Sequence, residues 1–161
     1  MRFRARFLQI ISIVMVIGVI IAIVIYTGGA SESTKLMDEV SPYVVNGFVT
    51  DRASLSTDRI FKKYYGLNAA DYESVVLYFP ISNMDAEELL IVKVKDVSQA
   101  EEVEEACLER QSTQIGIFEG YAPEQLSLCE NAVLDVQGNY ILYVVHENAD
   151  AIDSAFKKAL K

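Results

Sequence analysis

Ala132-Val-Leu-Asp-Val-Gln-Gly-Asn-Tyr-Ile-Leu-Tyr-Val-Val145 is the stretch that decides the fold. Gly138 and Asn139 are residue types that accept positive φ, and they suit a two-residue turn between antiparallel strands. With that turn Val136 lies opposite Ile141, Leu134 opposite Tyr143 and Ala132 opposite Val145. All six are apolar, as one buried sheet face requires, and a slip of one residue would scramble both faces. The other face pairs Gln137 with Tyr140 and Asp135 with Leu142, a mixed set that reads as a polar exterior. Helices are therefore expected on one face of the sheet only.

Outward from the hairpin, Asn148 is placed to cap a last helix whose stripe is Ile152, Ala155, Phe156, Ala159 and Leu160. Asp150 and Asp153 early, and Lys157, Lys158 and Lys161 late, complement its dipole. Upstream, Pro123 suits the first turn of a short helix over 124–128. Ser98-Gln-Ala-Glu101 has capping-box spacing before a longer helix in which Ala100, Val103, Ala106 and Cys107 recur at helical spacing. That helix runs to about Phe118, with Gly120 ending it. Val75-Val-Leu-Tyr-Phe79 and Leu89-Leu-Ile-Val-Lys-Val94 read as two more strands, joined across 80–88. Ile60, Phe61, Tyr64 and Tyr65 mark a short helix stopped by Gly66, and 36–45 reads as another, bent or shortened by Pro42. The order is α-α-β-β-α-β-β-α. The fold class expected is α+β, an N-terminal transmembrane helix followed by a four-stranded antiparallel sheet with helices on one face.

The transmembrane expectation rests on residues 7–26, which carry no charge and follow Arg2, Arg4 and Arg6. A run of about twenty apolar residues matches the thickness of a bilayer core. The arginines place residues 1–6 on the cytoplasmic side, so a flexible tether, 27–33, and a single domain, 34–161, stand outside. Six residues are too few for an intracellular output. The apolar run is longer than a signal-peptide core, which favours a permanent single-pass anchor over a secreted form. The secreted alternative has cleavage near Ala30, where Gly28 and Ala30 are small.

Arg2, Arg4 and Arg6 are three of 14 basic residues, so 11 remain in the rest of the chain against 23 acidic ones, a net charge of −12. Such a surface repels nucleic acid and anionic polymers. Cys107 and Cys129, outside the membrane, either bridge or serve as small buried hydrophobes, and burial is expected of both readings. His146 is the lone histidine, so a zinc site needing two imidazoles is excluded. No Gly-x-Ser-x-Gly elbow is present, and neither cysteine has a basic neighbour to activate it. Neither Asp85-Ala-Glu-Glu88 nor Asp150-Ala-Ile-Asp153 has the ligand pattern of a calcium loop. No catalytic residue, metal or cofactor is expected. Tyr121-Ala-Pro-Glu-Gln125 is the most distinctive loop: Tyr121, Pro123, Glu124 and Gln125 form a candidate interaction surface, unless Tyr121 folds back as a plug on the helix end.

Leu89-Leu-Ile-Val-Lys-Val-Lys95, Gly120-Tyr-Ala-Pro-Glu-Gln125, Glu130-Asn-Ala-Val133 and Gly138-Asn-Tyr140, before Phe156-Lys-Lys-Ala-Leu160, carry a resemblance. Over residues 61–160 the chain resembles domain-of-unknown-function family 4358, small envelope proteins of Gram-positive, mostly clostridial, bacteria. The resemblance implies an envelope location and a fold, with no activity or catalytic residue to carry over. Many members look like lipoproteins, whereas this chain has no cysteine just after its apolar run. The expectation is a membrane-tethered, extracytoplasmic, non-enzymatic module that binds another envelope protein. The alternative is a domain that binds a small ligand or cell-wall fragment in a groove beside the sheet. A deep convergent polar pocket would favour the alternative, and an aromatic surface the module.

Overall fold

Leu89-Leu-Ile-Val92 and Tyr140-Ile-Leu-Tyr-Val-Val145 are apolar at consecutive positions, so neither face of either strand can be left in water. The computed structural model, which describes residues 32–161, puts them side by side at the centre of a sheet. They are β3 (Glu88–Lys93) and β5 (Tyr140–Val145), antiparallel, and every residue of both is buried. Around them lie α1 (Met37–Val45), β1 (Ala53–Leu55), α2 (Asp58–Tyr65), β2 (Ser74–Pro80), α3 (Ala100–Phe118), α4 (Pro123–Glu130), β4 (Val133–Gln137) and α5 (Ala149–Ala159). The spatial order of the antiparallel sheet is β1-β2-β3-β5-β4.

One face carries Leu90, Val92, Ile141, Tyr143 and Val145 against Phe61 and Tyr65 of α2, Val103, Cys107 and Phe118 of α3, and Cys129 of α4. The other carries Leu89, Ile91, Tyr140, Leu142 and Val144 against Val40 and Val44 of α1, and Ile152 and Phe156 of α5. Each such fully buried side chain contributes about 1.5–3 kcal/mol, so both layers are needed to hold the sheet. The expected α+β class holds, but its architecture is corrected. The sheet has five strands, not four, and helices cover both faces, not one. The fifth strand, β1, is three residues of Ala-Ser-Leu on the sheet edge, too short to show a period. No helix among the described residues is long and apolar enough to cross a membrane. The transmembrane helix expected at 7–26, and residues 1–6 before it, lie outside the described residues.

The β4–β5 register is the expected one: Val136 opposite Ile141, Leu134 opposite Tyr143, and Gln137 opposite Tyr140 across the turn. Gly138 alone takes positive φ, 62°, and Asn139 does not. Asn139 is there for its side chain. Its amide accepts from the Ser33 backbone N–H at 2.8 Å and donates to the Ser33 carbonyl at 3.1 Å. The Tyr140 hydroxyl donates to the Lys35 carbonyl at 2.8 Å. The incoming chain is thus held from Ser33 at the hairpin end of the sheet, although Ser33 was expected to belong to a free tether.

Three local expectations shift. Asp96, not Ser98, opens the long helix: its carboxylate accepts from the Ser98 backbone N–H at 2.9 Å, while Gln99 accepts from the Asp96 backbone N–H at 3.2 Å. The capping box therefore sits two residues earlier, on a 3₁₀ turn at Val97–Gln99. The Asn148 side chain makes no cap bond, and its backbone N–H donates to His146 Nδ1 instead. Asp135 is not on an open exterior, because α5 covers that face and brings Lys157 Nζ to 3.8 Å. Gly66 ends α2 as expected, with φ 72°.

Candidate functional site

Val103, Cys107, Arg110, Gln114 and Phe118 follow one another along α3 at steps of three and four, and all five are buried. Two of them are polar, and both meet Glu88, the first residue of β3, whose side chain is fully enclosed. Arg110 Nη2 donates to Glu88 Oε2 at 2.7 Å, and Arg110 Nε donates to the same oxygen at 3.1 Å. The Tyr65 hydroxyl donates to Glu88 Oε1 at 2.5 Å, and Gln114 Nε2 to Oε2 at 3.2 Å. The Tyr143 hydroxyl completes the set by donating to Gln114 Oε1 at 3.0 Å.

Each member gains a partner from the others, as buried polar groups must. Burial pushes the Glu88 carboxyl up, and the guanidinium beside it pulls part of the way back. Burial acts against the Arg110 charge too, but the Glu88 carboxylate outweighs it and holds the guanidinium above its ordinary value. Burial also pushes the Tyr65 and Tyr143 hydroxyls up, with the Glu88 charge adding to it, so both remain donors.

Arg110 and Gln114 of this network line a groove of about 460 Å³ at the Glu88 end of the sheet. Tyr64, Phe79, Ile81, Ile117, Phe118 and Tyr121 line it, together with Asp85 and Arg110. The guanidinium carbon of Arg110 lies 5.1 Å from the Tyr64 ring centre and 4.9 Å from that of Phe79. Ile81 is 63 % exposed, Tyr121 53 % and Ile117 47 %, an apolar rim left open to water. Glu88 pairs with Val145, whereas the chain enters beside Asn139, before the other end of β5. The groove and the entry point therefore sit at opposite ends of the sheet.

The four expected interaction residues do not line one recess. Tyr121 joins the groove, with its ring 6.1 Å from that of Phe118. Pro123 is in the first turn of α4. Glu124 and Gln125 face a separate cleft of about 670 Å³ with Thr50, Arg52, Glu87 and His146. Gln125 is structural as well, its Oε1 accepting from the Ala86 backbone N–H at 2.8 Å. In that cleft His146 Nδ1 accepts from Asn148, so the neutral ring carries its proton on Nε2. Phe48 packs on the ring at 5.2 Å.

Cys107 and Cys129 are both buried and both free. Burial pushes the Cys129 thiol up to about 11, and the Cys107 thiol further. Among the described residues no three His, Cys, Asp or Glu side chains are grouped to hold a metal ion. Sequence reasoning missed Glu88, Arg110 and Gln114 as a unit. Their signal was present in the phase of α3, where Arg110 and Gln114 fall on the same stripe as Val103 and Cys107.

The fold and groove define a small α+β protein with an apolar recess above a buried ion pair. A family model described as Domain of unknown function (DUF4358) matches residues 49–146, and the chain belongs to that family. The match takes in β1 to His146 and every residue of the groove and of the network beside it. No curated protein and no solved structure matches the chain.

Proposed function

We propose that this protein is a non-enzymatic binding module of the cell envelope, and that its groove receives an apolar anchor from a protein partner. The observation that carries the reading is the grouping of exposed Tyr64, Ile81, Ile117 and Tyr121 around one recess. Large apolar side chains cost free energy in water, and a cluster of them around a concavity is how docking sites are built. Aromatic side chains also carry a large share of interface energy. For this groove the small-ligand alternative is weaker, because Glu88, Gln114 and Tyr143 direct their polar atoms at one another rather than into the recess. The cysteines are poor nucleophiles, since burial keeps both thiols protonated at neutral pH. The charge-free segment 7–26 behind three arginines supports attachment to the membrane with the domain outside.

A photo-reactive amino acid placed at Ile81 or Ile117 of the full-length protein in its native membranes tests this. Both positions should give the same cross-linked protein, and Val97, exposed beyond the opposite end of β3, should not. Equal products from all three positions, or none from any, would remove the support for a groove-centred interface.

A further inference from the structure

Arg110 reaches the groove with its charge already matched by Glu88 at 2.7 Å. Nε and Nη2 are taken by that carboxylate, and Nη1 has no hydrogen-bond partner among the described residues. Nη1 is not sealed off, since the one fully enclosed side-chain atom without a partner there is Asp153 Oδ1. A guanidinium more than nine-tenths buried thus keeps one nitrogen without a partner among the described residues, on a side chain that lines the recess.

The balance of charge says what that donor suits. A carboxylate or phosphate on Nη1 would sit close to Glu88 and share the groove with Asp85. Like charges repel most strongly where water is excluded, so a second anion is disfavoured. An uncharged acceptor meets no such penalty and satisfies the nitrogen. The walls beside it are Tyr64, Phe79, Ile117 and Tyr121, which call for an apolar group close to that acceptor. An uncharged carbonyl next to an apolar side chain is the repeating unit of a polypeptide. Asp85 at the recess has Arg52 Nε only at 4.0 Å, and with the net −12 of the chain beyond its three N-terminal arginines it favours a basic residue nearby.

Resting on the reading of the groove as a docking site, we infer that its occupant is an extended peptide segment of the partner. An apolar or aromatic side chain fills the recess, a main-chain carbonyl accepts from Arg110 Nη1, and a basic residue flanks the anchor near Asp85.

The test selects a random linear peptide library, its C-termini fused to the display protein, on the full-length protein held in lipid nanodiscs. Enriched sequences are then made with blocked termini and titrated by fluorescence anisotropy. An apolar anchor beside Lys or Arg is expected. Ile117→Ser should weaken those peptides about tenfold or more, and Asp85→Lys should turn the selected flank from basic to acidic. Circular dichroism of both variants, whose substituted residues line the recess rather than the core, separates lost binding from lost folding. Selection of acidic flanks by the wild-type protein overturns the inference. So does Ile117-dependent binding of purified wall glycan in place of peptide. If no peptide is selected while the Ile81 and Ile117 cross-links persist, the inference falls and the groove reading stands. If both fail, both fall.

Discussion

At the scale of single residues, the strongest commitment is the Glu88–Arg110 pair. Both are buried, and each neutralises the other. Removing one partner leaves a buried charge without compensation, which costs about 3–5 kcal/mol. Glu88→Met should therefore lower stability by that amount in urea unfolding. Glu88→Met combined with Arg110→Met should recover part of it, because no unpaired charge remains. A Glu88→Met variant within 1 kcal/mol of the wild type would mean that the pair is not enclosed as described; about 1 kcal/mol is the usual cost of an ordinary substitution. The thiols give a second check at this scale. With Cys129 raised to about 11 and Cys107 also raised, the native protein should not react with a disulfide reagent at pH 8. Both thiols should react once the chain is unfolded without reductant. A chain that still shows no reactive thiol would have its cysteines bridged.

At the scale of elements, the central strands distinguish a sheet covered on both faces from one covered on a single face. Ile141 faces α3 and Leu142 faces α1 and α5, and both are fully buried. Truncating either to alanine should cost about 2–5 kcal/mol. Helices on one face would have made Leu142→Ala nearly neutral, so equal penalties measured by denaturant unfolding are the diagnostic result. The hairpin itself was legible because two periods coincide there, a Gly-Asn turn and paired apolar positions on each side. β1 was not, since three residues at an edge carry no alternation. The role of Asn139 was also out of reach. Its amide is paired with Ser33, 106 positions away in the chain. Asn139→Ala should leave the turn intact and loosen the N-terminal strap, seen as faster hydrogen exchange at Ser33 and Lys35 with little change at Tyr143.

At the scale of the whole molecule, Tyr140 and Tyr72 add to Tyr65 and Tyr143 in tying stability to alkaline pH. Burial pushes Tyr140 up to about 12, with Glu73 adding to it. Burial pushes Tyr72 up to about 12 as well, helped by Glu102. An unfolded tyrosine titrates near 10. Below about pH 10 both states hold these protons and the full stability is present; above it only the unfolded chain releases them, so stability falls as pH rises through about 12. Urea midpoints should thus be insensitive to these groups up to about pH 10 and drop between 10 and 12. Phenolate absorbance of the native protein should lag behind that of a denatured sample over the same range. Coincident titration curves would show all four hydroxyls to be open to solvent.

By itself the sequence determined the α+β class, the bounds of most helices, the register of the hairpin and membership of its family. These rest on short-range patterns, where turn chemistry, capping and hydrophobic period act within one or two elements. It also held a charge-free segment at 7–26 behind three arginines. Only the tertiary structure decided that the sheet has five strands, that α1 and α5 cover its second face, and that Tyr121 shares a recess with Tyr64, Ile81 and Ile117. It alone brought Glu88 to Arg110 and Gln114. The physical reason is distance along the chain. A charge at a strand end reads as a solvated residue until a helix more than twenty positions away supplies its counter-charge, and burial makes that pairing obligatory.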